Sequence, residues 1–257
     1  MVDVSVIGCG NMGSALVRGL ARTGKHRITA CDVDEQALEA VAEYCETTTT
    51  DLATAAEADV VFVVVKPDLT ADIVGDLDLS ADQTLVSIAA GVPISMLEPR
   101  TDARIARVMP NLAAATGDMA AAVSGEVDDD VAELLDDAGL FVEIDEAQMD
   151  ISTAVNGSGP AFVFYLIKAM AQAGVDSGLD PDDAERLAAQ TFKGAAETVL
   201  QADESLDELI EAVCSPKGTT IEGMRALRES SADEAVVEAV VAAEERSKEL
   251  ARDPDDE

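Results

Sequence analysis

The segment that most restricts the fold lies near the amino terminus: Val4-Ser5-Val6-Ile7-Gly8-Cys9-Gly10-Asn11-Met12-Gly13-Ser14-Ala15-Leu16. An apolar, strand-like run leads into GxGxxG, and apolar residues then recur at helical spacing, so the glycines stand between a strand and a helix. In that context the motif reads as a dinucleotide-binding turn. Gly8 permits the tight turn, Gly10 lets the backbone approach a pyrophosphate, and Gly13 lets helix and strand pack closely. The free N–H groups where the helix begins, at Asn11 and Met12, suit an anion. The competing reading is a glycine-rich turn that packs tightly and binds nothing.

A second strand ends at Cys31-Asp32-Val33-Asp34, with Asp32 nineteen residues beyond Gly13. An acidic residue belongs there in the dinucleotide fingerprint, where it accepts from a ribose 2′-hydroxyl and repels a 2′-phosphate. The plain inference is NAD(H). Alternatively Asp34 and Glu35 open the next helix and Asp32 is a helix cap turned away from the ribose.

From Met1 to about Met149, apolar runs at Val2 to Ile7, Ile28 to Cys31, Val60 to Val65, Thr84 to Ile88 and Ile105 to Met109 read as strands separated by helices. Val60 to Val65 is apolar throughout, as expected of a parallel strand covered on both faces. Thr47 to Thr50 reads as a short strand or turn, and Asp128 to Asp130 as the capped start of a surface helix. Beyond about Asp150 the strand signal ends. Helical spacing runs near 160–176, 182–202, 206–213, 219–229 and 232–251, broken by Gly178, Pro181, Pro216 and Gly218. The fold class expected is α/β: a Rossmann-like doubly wound domain over residues 1–150, followed by an all-α dimerisation and substrate domain over residues 151–257.

Among 257 residues, 52 are Asp or Glu and 17 are Lys or Arg, a formal net charge of -35. Such a surface repels nucleic-acid phosphates and anionic membranes, so neither is an expected partner. Carboxylates spread over periodic, foldable sequence resemble those of a protein kept soluble in molar salt, and halophily is the expectation, with an ordinarily acidic surface as the alternative. No apolar run approaches the length of a membrane span. Four cysteines without a CxxC pair and a single histidine, His26, point to a reduced cytoplasmic protein without a metal.

Four further blocks fall where strands end or helices begin: Val65-Lys66-Pro67, Ser87-Ile88-Ala89-Ala90-Gly91-Val92, Val155-Asn156-Gly157-Ser158-Gly159-Pro160-Ala161-Phe162, and Cys214-Ser215-Pro216-Lys217-Gly218-Thr219-Thr220-Ile221-Glu222. Together with GCGNMG they resemble the pyrroline-5-carboxylate reductases, enzymes of the last step of proline synthesis. The resemblance implies a Rossmann domain, a helical domain that intertwines with a second copy, and often a larger ring of dimers, a decamer. It implies a small-molecule substrate and NADP(H) or NAD(H) as cofactor. It sets Val65, Lys66, Pro67, Ala89 and Ala90 beside the nicotinamide half, and it makes Ser215, Gly218, Thr219 and Thr220 the substrate loop. Independently, strand carboxyl ends in a doubly wound sheet face the ligand crevice, and a turn running into a helix offers N–H groups to a carboxylate. Thr219 or Thr220 could equally be an ordinary helix cap, and Asn156 to Pro160 is either helix-start punctuation or close packing near the nicotinamide.

Two departures stand out. Lys217 occupies a position where the family usually has glycine, and Met109-Pro110-Asn111 continues with Leu112-Ala113 instead of Thr-Pro. The family also commonly prefers NADPH, with a small or hydroxyl residue where Asp32 stands, so motif and resemblance disagree on the nucleotide. Reduction of the ring C=N needs a hydride and a proton on nitrogen. Thr220 is the expected catalytic hydroxyl for that nitrogen, with Gly218 and Thr219 N–H groups on the carboxylate and Ser215 shaping the loop. One rival is a β-hydroxyacid-type dehydrogenase using Lys168 or Lys193 as acid and base; the other is a catalytically silent dinucleotide-binding protein.

Overall fold

The apolar runs of the first half condense into one eight-stranded sheet in the computed structural model, which describes residues 1–250. The strands are β1 (Asp3–Ile7), β2 (Arg27–Cys31), β3 (Thr47–Thr49), β4 (Val60–Val63), β5 (Thr84–Ser87), β6 (Arg104–Met109), β7 (Met119–Gly125) and β8 (Gly139–Glu143), in the spatial order β3-β2-β1-β4-β5-β6-β7-β8. Every neighbouring pair is parallel except β6 and β7. Order reversal between β1 and β4 creates the switch point at which doubly wound sheets hold ligands. Helices α1 (Asn11–Ala21), α2 (Glu35–Glu39), α3 (Leu52–Ala55), α4 (Pro67–Asp76), α5 (Ile94–Leu97), α6 (Asp129–Ala138) and α7 (Met149–Ser152) accompany the sheet.

β4 shows why both faces are covered. Val60 and Phe62 join one core cluster with Val4, Val6, Leu16, Leu20 and Leu134, whereas Val61 and Val63 join another with Ile7, Val74, Leu85 and Leu97. Successive side chains point to opposite faces of a strand, so one fully apolar run serves two layers. Asp128 begins α6 by accepting from the Val131 N–H at 2.9 Å, and it also accepts from the Thr84 hydroxyl at 2.7 Å.

The sheet departs from the expected five main strands at its far edge. β7 is Met-Ala-Ala-Ala-Val-Ser-Gly, and alanine favours helix over strand. Pairing with β6 overrides that preference: Asn111 caps a 3-10 turn over Leu112–Thr116, Gly117 takes φ +80°, and the chain returns antiparallel. β8 leaves Leu140 and Val142 about half exposed, so its sequence carries little of a buried strand's pattern.

The second half is helical: α8 (Gly159–Asp176), α9 (Pro181–Gln201), α10 (Leu206–Val213), α11 (Thr219–Arg228) and α12 (Ala232–Leu250). Asp180 caps α9 just before Pro181, and Ser205 with Glu208 closes a reciprocal capping box on α10. Residue 251 of the expected last helix, and the last residues of the expected second domain, lie outside the described residues. By chain contacts the molecule divides into Met1–Ser158 with the chain from Val241, and Gly159–Val240. The first unit extends past residue 150 because Asn156 is hydrogen-bonded to Met109 and Ala120, and the Ser247 hydroxyl donates to Asp150 at 2.7 Å. Among the described residues no helix is long and apolar enough to cross a membrane.

Candidate functional site

At the end of β1 the chain turns at Gly8 with φ +96°, and a Cβ there would sit 2.4 Å from the Val64 carbonyl oxygen. A Cβ on Gly13 would lie 1.8 Å from the Gly8 carbonyl oxygen. Both glycines are therefore required by the protein's own packing. Gly10 is different, since nothing lies within 4 Å of where its Cβ would be. It stands at the N-cap of α1 with no side-chain cap and no acidic residue in the first turn. The N–H groups that open this helix thus face no protein acceptor, and the cradle fits a pyrophosphate. Met12 packs on the core beneath, and the Ser14 hydroxyl closes the turn on the Cys9 carbonyl at 2.7 Å.

Asp32 completes the turn from the side of β2. Its Oδ2 accepts from the Cys9 N–H at 2.6 Å and its Oδ1 from the Asp34 N–H at 2.9 Å. The cap of α2 is Asp34, which accepts from the Gln36 N–H at 2.9 Å, so the alternative of Asp32 as a helix cap does not hold. Burial, with the Asp32 carboxylate adding to it, pushes the Cys9 thiol up to about 12, which keeps it protonated.

A cavity of about 430 Å³ opens beside this loop and brings together Gly8, Gly10, Asp32, Val65 and Lys66. That volume lies within the range of small-ligand sites. Lys66 is the N-cap of α4, Pro67 is its first residue, and the Lys66 carbonyl accepts from the Leu69 N–H and the Thr70 hydroxyl, both at 3.0 Å. Asn11, Met12, Gly13 and Pro67 support the cavity without lining it. Ala89 is buried in the core, and Ala90 packs on the cluster of Met109, Ala122 and Met149, so neither lines this cavity.

That cluster is fastened by residues the sequence left ambiguous. Residues Thr153–Gly157 form a π-helical turn. From it the Asn156 Nδ2 donates to the Met109 and Ala120 carbonyls at 2.7 and 3.0 Å, while its Oδ1 accepts from the Ser152 hydroxyl at 2.7 Å. Asn111 Nδ2 donates back to the Asn156 carbonyl at 3.0 Å. The Met-Pro-Asn block and the Asn156 block are thus one hydrogen-bonded clamp. Arg107 was not singled out from sequence: it is buried in β6, its Nη1 reaches Glu146 Oε1 at 3.3 Å, and the same oxygen accepts from the Ile94 N–H at 2.7 Å. A lone arginine inside Ile-Ala-Arg-Val-Met was its only signal.

In the helical unit, Ser215, Gly218, Thr219 and Thr220 fall in one turn and the helix start that follows. The Gly218 N–H donates to the Ser215 carbonyl at 2.9 Å, and a Cβ on Gly218 would meet the Ser215 Oγ at 2.3 Å. Gly218 is the N-cap of α11, with no side-chain cap. Thr219 and Thr220 are accordingly the first helical residues and not caps, and their exposed side chains and N–H groups are free for a ligand.

Residues 146–250 match the family model for pyrroline-5-carboxylate reductase dimerisation, and residues 3–91 match that for NADP oxidoreductase, coenzyme F420-dependent. The chain is 37% identical to the pyrroline-5-carboxylate reductase of Methanosarcina acetivorans, over 97% of this chain and 98% of that one. It is likewise 37% identical to the enzyme of Pseudomonas aeruginosa, over 96% of each. Among solved structures, a pyrroline-5-carboxylate reductase from Coxiella burnetii superposes with a TM-score of 0.87 at 30% identity, over 97% of this chain and 98% of that one. The NADP-bound enzyme of Plasmodium falciparum gives 0.83 at 28% identity, over 97% and 98%.

Proposed function

The chain belongs to the pyrroline-5-carboxylate reductase family, and from that premise we propose that it reduces the C=N bond of 1-pyrroline-5-carboxylate to give L-proline, as an NAD(P)H-dependent oxidoreductase. The observation that carries the reading is the cavity holding Gly8, Gly10, Asp32 and Lys66 at the switch point of the sheet, in a chain that also keeps the Ser215–Thr220 turn.

A dinucleotide, when bound, would supply the hydride. The N–H groups at Asn11 and Met12 would hold its pyrophosphate, Asp32 would face the adenosine ribose, and Val65, Lys66 and Pro67, with Ala89 and Ala90 at the next strand end, would take the nicotinamide half. N–H groups of Gly218 and Thr219 take the substrate carboxylate, and Ser215 shapes the turn. The Thr220 hydroxyl hydrogen-bonds the ring nitrogen as it becomes an amine. A protonated imine is already a strong electrophile, so the protein's work is orientation and hydrogen bonding, and no strong general acid is needed.

The protein acts as a homodimer whose helical domains intertwine, with a decamer as the larger assembly. Support comes from the dimerisation match over residues 146–250 and from α8, whose Phe164 and Tyr165 are 67% and 74% exposed in the single chain. It works in a cytoplasm of high salt, as its charge of -35 suggests. The test is proline formation from pyrroline-5-carboxylate with NADH and with NADPH, each at low and at molar salt; no proline under any of these conditions refutes the reading.

A further inference from the structure

Lys217 is held in a backbone conformation that its side chain disfavours. The turn Ser215-Pro216-Lys217-Gly218, closed by the Gly218 N–H on the Ser215 carbonyl at 2.9 Å, puts Lys217 at φ +64°. A positive φ at the third position of a turn is one that glycine adopts freely and a residue bearing Cβ adopts at a cost. Among the described residues Lys217 is the only residue other than glycine at positive φ. Glycine would be the less strained residue here, so the lysine is held against the preference of the backbone.

The surrounding charge supplies a reason. From Ala202 to Thr220 the chain carries Asp203, Glu204, Asp207, Glu208 and Glu211, and Lys217 is the single cation. On a protein of net charge -35, that field opposes the approach of any small carboxylate. Lys217 is exposed and directly precedes Gly218, the uncapped start of α11. On α11 itself, Arg225 is already engaged by Glu222 and Glu229.

We propose that Lys217 is a substrate-affinity residue, whose ammonium offsets the acidic field at the turn that receives the carboxylate of the cyclic imine. The inference rests on the pyrroline-5-carboxylate reading above. It separates two properties of one residue: the Cβ carries the strain, and the ammonium carries the attraction.

Two variants divide those properties. Lys217→Gln keeps the Cβ and loses the charge; Lys217→Gly loses both. At low salt each should raise the KM for pyrroline-5-carboxylate by about 5- to 10-fold, with a much smaller change in kcat and in dinucleotide Kd, and the rise should shrink below about twofold in molar potassium chloride. Only Lys217→Gly should also raise the melting temperature, while Lys217→Arg should restore KM. Arg228→Gln, further along α11, serves as the control for charge at another position. A KM unmoved in Lys217→Gln, or moved equally in Arg228→Gln, overturns the inference. So does a parallel rise in dinucleotide Kd. A wild type that makes no proline instead overturns the underlying reading, which keeps the two failures distinct.

Discussion

The Asp32 carboxylate accepts from the Cys9 N–H at 2.6 Å, across a separation of 23 residues, and so ties the end of β2 to the glycine turn after β1. With Asp34 N–H on its other oxygen, the group is fixed where the cavity begins. A carboxylate held by two backbone donors cannot swing away from a 2′-phosphate, and the next residues, Val33, Asp34 and Glu35, offer no cation to receive one.

Wild type should therefore favour NADH at low salt. A like charge near the 2′-phosphate costs on the order of 1 to 3 kcal/mol, about 5- to 150-fold in the ratio of kcat/KM for the two nucleotides. Molar salt shortens screening to about 3 Å and should narrow that ratio. Asp32→Ser should move the ratio toward NADPH, and because it also leaves the Cys9 and Asp34 N–H groups short of an acceptor, it should cost some stability. A wild type that prefers NADPH, with a ratio the substitution does not move, would remove Asp32 from nucleotide selection.

The glycines of the motif should separate into packing and binding roles. Gly13→Ala drives a methyl into the Gly8 carbonyl and should destabilise the protein by about 3 kcal/mol or more. Gly10→Ala meets nothing and needs no unusual φ, so it should cost under about 1 kcal/mol of stability. Its added methyl stands where a pyrophosphate would approach, and dinucleotide Kd should rise at least about tenfold. Melting curves and nucleotide titrations on the pair check this; equal losses of stability would contradict it.

Thr220→Ala should lower kcat by about 10- to 100-fold while leaving dinucleotide Kd nearly unchanged, since the hydroxyl is assigned to the substrate nitrogen. Because Gly218 and not Thr220 caps α11, the substitution should also leave the melting temperature close to wild type. A loss confined to nucleotide binding would move Thr220 out of that role.

How far the sequence could be read depends on which forces set each element. β4 and the GCGNMG turn were legible because complete burial on two faces and forced close approach each leave a residue signature. The helical breaks at Pro181 and at Pro216-Lys217-Gly218 were legible for the same local reason. β7 was not, because alternation is lost in Met-Ala-Ala-Ala and the strand is set by its pairing with β6 and β8. The choice between Asp32 and Asp34 as the cap of α2 could not be made from spacing, since either carboxylate precedes the helix. Asn156 was equally open: the two hydrogen bonds its amide donates go to residues 36 and 47 positions away, and no local pattern records them.

Acid should weaken one specific tether. Asp137 on α6 accepts from Lys25, His26 and Thr23, at 2.8, 2.9 and 3.3 Å for their shortest contacts. Burial pushes its carboxyl up, but those hydrogen bonds and the Lys25 charge outweigh burial and hold it below the usual aspartate range. A carboxyl whose folded value is depressed adds stability above its unfolded value, near about 4, and that stability is lost as pH falls through the folded value. Asp137→Asn should thus be less stable than wild type by about 1 to 3 kcal/mol at neutral pH, with the gap closing below about pH 4. A gap constant from pH 7 to pH 3 would show that the tether does not depend on the charge.

Salt should act on the whole surface in the opposite sense from its action on single ion pairs. Exposed pairs such as Arg225 with Glu222 and Glu229 contribute at most about 1 kcal/mol each, and salt weakens them. Repulsion among 52 acidic residues faced by 17 basic ones is the larger quantity, and it falls as the Debye length drops from about 10 Å at 0.1 M to about 3 Å at 1 M. The net effect should be a melting temperature that rises by several degrees between dilute buffer and molar potassium chloride, with activity rising in parallel. Sodium chloride at equal ionic strength should give most of the same increase if screening is the cause. A melting temperature that is flat or falls over this range would mean that the carboxylates are spaced well enough to be harmless in dilute buffer, and the acidic surface would then say nothing about the salt in which the protein works.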